Sequence, residues 1–310
     1  MTAGLPAGLT MILIGAGQIG LDGIVAARDA GLGRPAAVVD PDPAARAAAE
    51  TALGVPAWES LDEVDQTHEL AFVAFSSRAA VVTPVVARLL ASGAHVVTTC
   101  EELADPTADE ANDLRSACRE AGRSVIVTGA NPGFVMDRVP MLLAGGCRDV
   151  RSVNVVRRVD TRTRRRSLVL KTGYGMTPRE FSRAAESGAI GHVGLEASAK
   201  ALAVGLGWRV VSFTLSLEPI AGGESVLGQD QRIHLVCEGG RSIDLVLLMA
   251  WGIDEPGDRI SIRGTATLDV QIEGGFPGDE GTTARMVNAA RHIRALEPGF
   301  YGPVDLPIRI

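Results

Sequence analysis

The stretch "TMILIGAGQIG", residues 10–20, decides the fold of the first half of the chain. Residues 11–14 form an apolar run that predicts a buried β-strand, and an Ala-rich segment typical of a helix follows the turn at Gly15. Gly15, Gly17 and Gly20 give the spacing G-x-G-x-x-G. A second apolar run, "AAVVD", ends in Asp40, twenty residues after Gly20. Strand, glycine turn, helix and acid together form the fingerprint of a dinucleotide-binding site.

Each part of this fingerprint has a physical reason. The glycines permit a tight turn and let a pyrophosphate approach the helix N-terminus, where N–H groups and the helix dipole favour an anion. Asp40 suits two ribose hydroxyls and repels a 2′-phosphate, so NAD is the expected cofactor. Arg46 could reach that phosphate, which leaves NADP possible. A glycine-rich turn between core elements is the alternative interpretation. The expected cofactor-binding residues here are Gly15, Gly17, Gln18, Ile19, Gly20 and Asp40.

Strand and helix patterns continue to alternate up to about residue 130, which predicts an α/β domain with a parallel sheet and right-handed crossovers. Ligands of such sheets bind at the carboxyl ends of the strands. Three strand ends carry polar residues there. We expect two of them to bind the cofactor, through Ser76, Ser77 and Arg78 and through Asn131, Pro132 and Gly133. The third strand, "HVVTTC", ends in Glu101 and Glu102.

The pattern changes from about residue 153, where longer strands have few helices between them. Segments such as "SVNVVRRVD", "RSLVLKTG" and "QRIHLVCEG" predict an α+β substrate domain with a largely antiparallel open sheet. We therefore predict a Rossmann dinucleotide-binding domain over residues 1–136 and a substrate and dimerisation domain over 137–278. A C-terminal helical segment, 279–310, is expected to pack back on the first domain.

Composition excludes several classes of protein. A net charge of −7 argues against nucleic acid as the main partner. The sequence has no run of 18 apolar residues and no secretion signal, so we expect a cytoplasmic protein without membrane contact. Four scattered cysteines indicate free thiols, and no cluster has metal-ligand spacing. The arginine-rich stretch "RRVDTRTRRR", residues 157–166, could bind nucleic acid, but a solvated hairpin is the favoured interpretation.

Five further motifs carry a resemblance to a known family: "HVVTTCEEL", "TGANPGFVMD", "LKTGYGMTPREF", "GHVGLEAS" and "GDEGTTARMVNA". Together they resemble the 2,4-diaminopentanoate dehydrogenase family, which includes native amine dehydrogenases and is more distantly similar to dihydrodipicolinate reductase. The resemblance implies a Rossmann domain, an open-sheet substrate domain and a homodimer. It also implies reversible NAD(P)-dependent conversion of a small-molecule amine to a ketone or aldehyde and ammonia.

Glu101 and Glu102 are the candidate catalytic residues. Amine oxidation needs a group that deprotonates the ammonium, offsets the charge of the iminium and activates water, and a carboxylate can do all three. Successive side chains of an extended segment point in opposite directions, so we expect the two acids to differ in role. Glu102 occupies the lysine position of the Glu-Lys-Pro motif that the sequence resembles, which favours Glu102 as the substrate-facing residue. The alternative is that both acids cap the following helix or pair with surface arginines.

Phe134, His192 and Lys171 are the expected substrate-pocket residues. His192 lies between Gly191 and Gly194 and could line the pocket or orient a water, although a helix-start histidine fits equally. Lys171 could bind substrate, or it could be a solvated strand lysine. Two other functions stay open besides amine dehydrogenation. One is reduction of an imine or carbonyl on the same scaffold, and the other is a dinucleotide-binding sensor without turnover.

Overall fold

The computed structural model describes residues 8–305, and the chain divides into two compact units. Among these residues, the first unit comprises 8–129 and 280–305, and the second comprises 130–279. The chain thus passes between the units twice, and its C-terminal segment returns to the unit in which it began. Strands and helices are numbered along the chain.

The first unit contains a parallel sheet of seven strands in the order β13-β6-β5-β4-β1-β2-β3. Its strands are β1 (Leu9–Ile14), β2 (Gly33–Val39), β3 (Ala57–Trp58), β4 (Leu70–Val73), β5 (His95–Thr98), β6 (Val125–Val127) and β13 (Phe300–Tyr301). The predicted α/β domain with a parallel sheet is confirmed. The strand order reverses between β1 and β4, which in such sheets opens a crevice beyond the carboxyl ends of the strands.

Helices connect these strands: α1 (Gln18–Asp29), α2 (Pro43–Leu53), α3 (Ala79–Ala91), α4 (Asp109–Ala121) and α9 (Asp279–His292). An apolar core lies between the sheet and helices α1, α2 and α9. Met286 of α9 is fully buried in this core and touches α1 at Gly23, where an added Cβ would lie 2.5 Å from the methionine methyl. The close approach of α9 to α1 therefore depends on a glycine.

The second unit contains a mixed sheet of six strands in the order β12-β11-β7-β10-β9-β8. Its strands are β7 (Ser152–Asp160), β8 (Val210–Gly222), β9 (Ser225–Cys237), β10 (Arg241–Ala250), β11 (Gly257–Arg263) and β12 (Leu268–Glu273). The expectation of a largely antiparallel sheet is corrected, because β10 runs parallel to β7 at the centre. The long helical segment between β7 and β8 carries the chain across the sheet, so the meander β8-β9-β10 returns beside β7 in the same direction.

The helices of this unit are α5 (Arg138–Ala144), α6 (Arg166–Lys171), α7 (Pro178–Glu186) and α8 (Leu195–Gly205). Helices α5 and α8 pack against the sheet in its main apolar core. The segment "RSLVLKTG", predicted as a strand, forms α6 instead. A short apolar run does not by itself distinguish a strand from a helix. A capping box between Thr177 and Glu180 begins α7.

The arginine-rich stretch does not form the solvated hairpin that the sequence suggested. Arg157 lies inside β7 and pairs with Asp258 at 2.8 Å, with both side chains buried. Farther along, Arg164 and Arg165 both pair with Asp279. The acids that receive these arginines lie 101 and 115 residues farther along the chain, so local charge pattern alone could not identify them.

Candidate active site

The glycine turn between β1 and α1 has the geometry of a dinucleotide cradle. Gly15 has a φ of +93°, and a Cβ there would lie 2.6 Å from Cβ of Phe75. A Cβ on Gly20 would lie 2.1 Å from the carbonyl oxygen of Gly15, so this glycine lets α1 pack against the turn. Gly17 differs, because a Cβ there would meet no atom within 4 Å. This open space before the helix N-terminus is where the fingerprint places a pyrophosphate, so the turn fits the cofactor.

Asp40 follows β2 directly and is held against this turn. Its Oδ2 accepts a hydrogen bond from the backbone N–H of Ala16 at 2.7 Å, and its Oδ1 accepts one from Asp42 at 2.9 Å. An ionised carboxylate has about four acceptor positions, so capacity remains for ribose hydroxyls. The guanidinium of Arg46 donates to the carbonyl oxygens of Asp40 and Pro41 at 2.8 and 2.9 Å. Arg46 is therefore held by the backbone beside the acid.

The loop after β4 is joined to the loop after β5. The hydroxyl of Ser76 accepts a hydrogen bond from the N–H of Arg78, and the carbonyl of Ser77 accepts one from the N–H of Glu102 at 3.1 Å. Arg78 is the N-cap residue of α3. Two of the predicted strand ends are thus neighbours in the first unit.

Glu102 completes this connection through its side chain. Its Oε1 accepts a hydrogen bond from the guanidinium of Arg78 at 2.7 Å, and its Oε2 accepts one from the N–H of Ala79, the first residue of α3, also at 2.7 Å. A carboxylate at a helix N-terminus is favoured by the free N–H groups and the helix dipole. These contacts give Glu102 a structural role, of the kind that the sequence left open as the alternative. Its contact with substrate stays a prediction.

Glu101 precedes a 3₁₀ turn formed by residues 102–104 and has helical backbone angles, φ −66° and ψ −40°. The expected extended alternation is therefore wrong: β5 ends at Thr98, and the two acids lie on a tight turn. Successive residues of such a turn point about 120° apart. Glu101 is half-buried, like Glu102. Burial raises the pKa of the neighbouring Cys100 thiol to about 12, so the cysteine stays protonated in the physiological range.

A second polar cluster lies within the second unit, around His192. The amide of Asn131 lies between Nε2 of His192, at 3.0 Å, and the hydroxyl of Ser198, at 3.3 Å. Ser198 in turn lies 2.9 Å from Oδ2 of Asp137. Asp137 and Ser198 are both fully buried. The sequence predicted His192 as a pocket residue and Asn131 as a cofactor ligand, but it did not single out the two buried residues that join them.

The backbone of His192 is held separately, by Gln231 of β9. The side-chain amide of Gln231 accepts from the N–H of His192 at 2.7 Å and donates to its carbonyl at 3.0 Å. Gln229 donates to the same amide oxygen at 3.3 Å. The sequence signal for this contact is a pair of buried glutamines among the apolar residues of β9.

The other expected residues are placed as follows. Pro132, which follows a cis peptide bond, and Gly133 are buried, and the N–H of Gly133 donates to Asp137. Phe134 is half-buried, and its ring contacts that of Phe276 at 4.9 Å between centroids. Lys171 ends α6 with an exposed side chain, and its carbonyl accepts from the N–H of Gly191. The roles of these residues toward cofactor or substrate stay predictions.

Within residues 8–305, no group of three or more His, Cys, Asp or Glu side chains is arranged to hold a metal ion. In that same part of the chain, no helix is long and apolar enough to cross a membrane.

Comparison with known proteins gives matches in both units. Residues 9–128 match an oxidoreductase family model with an NAD-binding Rossmann fold, so NAD is the cofactor of the first unit. Residues 134–231 match the model of the 2,4-diaminopentanoate dehydrogenase C-terminal domain. These two matches make the chain an NAD(P)-dependent oxidoreductase.

The chain is also similar to individual oxidoreductases. The chain is 30% identical over 237 residues to a 2,4-diaminopentanoate dehydrogenase from Acetoanaerobium sticklandii, covering 69% of this chain and 67% of the relative. An amine dehydrogenase from Mycobacterium smegmatis shares the fold with a TM-score of 0.83 and 17% identity over 97% of each chain. An oxidoreductase from Agrobacterium radiobacter, in complex with NAD+, L-tartaric acid and magnesium, shares it at a TM-score of 0.65 and 14% identity, covering 96% of this chain and 92% of that one. From its sequence identity and the extent of the match, the chain belongs to the 2,4-diaminopentanoate dehydrogenase family.

Proposed function

We propose that this protein catalyses the reversible NAD-dependent oxidative deamination of a small amine to a ketone or aldehyde and ammonia. The observation that carries the proposal is a half-buried carboxylate, Glu101, at the carboxyl edge of the sheet that also carries the glycine turn. Family membership supports the reaction class. When bound, NAD accepts a hydride from the carbon that bears the amine.

The residues of this chain must supply the proton transfers. A base first takes a proton from the substrate ammonium, because only the neutral amine has a lone pair that can push hydride from carbon. The product of hydride loss is an iminium cation, which a nearby carboxylate stabilises. The base passes the ammonium proton to solvent and then takes a proton from the water that attacks the iminium carbon, which gives a neutral carbinolamine. The protonated base returns its proton to the amine nitrogen, and the C–N bond breaks as the hydroxyl proton is lost, which releases ammonia and the carbonyl product.

We assign this base to Glu101 rather than to Glu102. Both oxygens of Glu102 accept hydrogen bonds from Arg78 and Ala79, which directs its carboxylate toward the start of α3. The turn after β5 directs the preceding side chain elsewhere. In this assignment, Glu102 holds two strand-end loops together and so positions Glu101.

Matched substitutions test the assignment. Glu101→Gln should lower kcat for amine oxidation by about 10²-fold or more, with the Kd for NAD unchanged. Glu102→Gln should lower the melting temperature and, because Glu102 positions Glu101, should lower kcat less than Glu101→Gln does. Glu120→Gln, an exposed position on α4, serves as the control. A loss of turnover confined to Glu102→Gln would reverse the two roles. Wild-type kcat in both variants would refute a carboxylate base.

The reaction class itself is tested with a panel of amines. Amine-dependent formation of NADH at alkaline pH, and consumption of NADH by ketones only when ammonia is present, are the expected results. Reduction of imines or carbonyl compounds without ammonia, together with no amine oxidation, would instead identify a reductase. Tight NAD binding with no turnover of any of these compounds would identify a sensor.

We also propose that the protein is a cytoplasmic homodimer. The four cysteines are free, as expected in a reducing compartment. The sheet face of the second unit opposite the core carries exposed or half-buried side chains, including Val236, Val246 and Leu248, beside ion pairs such as His234–Asp244. A partly apolar face with paired charges suits association with a second copy. A monomer at micromolar concentration in light scattering would contradict the dimer.

A further inference from the structure

Strand β8 forms one edge of the sheet in the second unit, and its first half is exposed. In the part of the chain that the structure describes, β9 is the one strand that pairs with it. All six residues from 211 to 216 are exposed. Among them are Val211, Phe213 and Leu215, with exposed fractions of 64%, 42% and 47%. The N–H and C=O groups on the outer side of an edge strand have no partner within their own sheet, so this segment can pair with another strand.

The other edge of the same sheet, β12, is protected by charge. It is six residues long and carries Asp269 and Glu273. Asp269 accepts a hydrogen bond from Arg263 at 3.0 Å. Residues 210–217 of β8, "VVSFTLSL", contain neither a charged residue nor a proline. Charges and proline are the usual features that prevent an edge strand from pairing, so β8 is the edge of this sheet that can accept a strand.

The sequence of this edge is self-complementary about Thr214. On either side of this residue, polar and apolar residues alternate. When two copies of a strand pair antiparallel around a two-fold axis, equivalent positions before and after the centre lie opposite each other. Phe213 then lies opposite Leu215 of the second copy, and Ser212 lies opposite Ser216. Each contact joins residues of like polarity, which keeps the apolar side chains of both copies on one face.

Charged residues at the two ends of β8 favour this register. Arg209 precedes the strand and Glu218 lies near its end, and both are exposed. They are five and four residues from Thr214, but the pairing with β9 has a bulge between Val210 and Ser212 that takes up one residue. In the register centred on Thr214, Arg209 of each copy therefore lies opposite Glu218 of the other. Because these charges are opposite, the edge is complementary to a second copy of this chain.

The contacts of these two residues within one chain leave room for the new pair. Glu218 lies opposite Asp230 of β9, and like charges in that arrangement repel each other. Asp230 is paired with Arg232 at 2.6 Å. Arg209 lies 3.5 Å from Glu238, and both of these side chains are more than half exposed, so their pair contributes little to stability. Arg209 can therefore bind Glu218 of a second copy at small cost.

We propose that β8 pairs antiparallel with β8 of a second copy, centred on Thr214, so that two six-stranded sheets join into one continuous sheet. This contact goes beyond the proposed enzymatic function and is separate from the sheet-face contact proposed above. A chain that uses the edge alone forms a dimer, and a chain that uses both contacts forms a tetramer. Each β8 is covered by one partner, so the assembly is closed.

Cysteine cross-linking tests the register. The Cα atoms of opposite residues in an antiparallel pair lie about 4.5–5.5 Å apart, which a disulfide can span, so Thr214→Cys should form a disulfide between two chains on mild oxidation. Ser216→Cys is the matched control, because it would lie about 14 Å from its own counterpart and should not cross-link alone. Mixing Ser216→Cys with Ser212→Cys should restore the cross-link. Cys147→Ser is the background for all variants, because the other three cysteines are buried.

No disulfide in Thr214→Cys would overturn the proposal. Equal cross-linking of Thr214→Cys and Ser216→Cys would also overturn it, because random collision would explain both.

Light scattering at micromolar concentration measures the assembly itself. Leu215→Lys puts a charge on the exposed edge and should halve the mass of the wild-type assembly. Val81→Lys, at an exposed apolar position of the first unit, is the control and should leave the mass unchanged. The sheet-face contact is tested separately by Leu248→Lys. A mass that falls in Leu248→Lys but not in Leu215→Lys, or a monomeric wild type, would overturn the edge contact.

Discussion

Replacing Gly17 with alanine adds one methyl group, and this change should weaken cofactor binding without impairing folding. Its φ of −61° and ψ of 169° are ordinary for alanine, and an added Cβ would meet no atom within 4 Å. Gly17→Ala should therefore fold normally, with a free energy of unfolding within about 1 kcal/mol of wild type. The same methyl group would occupy the open space at the start of α1 that the pyrophosphate needs.

The expected loss of affinity follows from hydrogen bonds to a charged group. Such a bond contributes about 1.5–3 kcal/mol, so keeping a phosphate away from one N–H should raise the Kd for NAD by roughly 10- to 100-fold. Isothermal titration with NAD measures this directly. Urea unfolding without cofactor gives the stability of the same variant.

Two other glycines complete the experiment. Gly20→Ala would place its Cβ 2.1 Å from the carbonyl oxygen of Gly15, so α1 must shift and stability should fall by about 1–3 kcal/mol. Gly146→Ala, in the second unit, meets only an ordinary contact at 3.4 Å and serves as the control for both measurements. If Gly17→Ala binds NAD with wild-type affinity, the pyrophosphate does not occupy the open space at the start of α1. Loss of stability in Gly17→Ala equal to that in Gly20→Ala would refute the described geometry of the turn.

Three further results are expected. Asp40 should make kcat/KM with NADH at least about tenfold higher than with NADPH, and equal use of both cofactors would contradict this. Asp258→Ala leaves Arg157 buried without its acid and should lower the free energy of unfolding by about 3–5 kcal/mol, measured by urea unfolding, whereas Asp269→Ala at an exposed pair should cost much less. Burial raises the pKa of Asp279, but its two arginine partners outweigh burial and hold the pKa below its usual value. The stability that this acid contributes should be present above about pH 4 and be lost as the pH falls through the lower folded pKa, so wild type and Asp279→Asn should converge in acid.

The first unit was largely predictable because its information is local. A strand, three glycines at fixed spacing, a helix and an acid lie within about thirty residues, and each is tied to a contact that any chain with this turn must make. The mixed sheet of the second unit was not predictable in this way. The pairing of β10 with β7 joins residues about 90 positions apart, and hydrophobic alternation is the same for a parallel and an antiparallel neighbour.

In the candidate site, the orientation and the pairing of single side chains were likewise not predictable from the sequence. The position of Glu101 and Glu102 after β5 followed from the sheet pattern. Their orientation depended on whether the chain stayed extended after Thr98, and an apolar run followed by acids is compatible with both outcomes. Asp137 was equally visible as an acid among apolar residues, but its partner Ser198 lies 61 residues farther along the chain. Pairings at that distance have no local signal.

The turn after β5 also explains why two adjacent acids are useful there. The first residues of α3 offer N–H groups at the carboxyl edge of the sheet, and these groups attract a nearby carboxylate. Glu102 already accepts from Ala79 and Arg78, so those donors are engaged before Glu101 can compete for them. Removing Glu102 should then change more than loop stability, because the donors would become available to the remaining acid. The double variant Glu102→Ala with Arg78→Ala lacks one of the two donors, so it should recover part of the kcat that Glu102→Ala alone loses. No recovery of kcat would mean that Glu102 acts only by holding the two loops together.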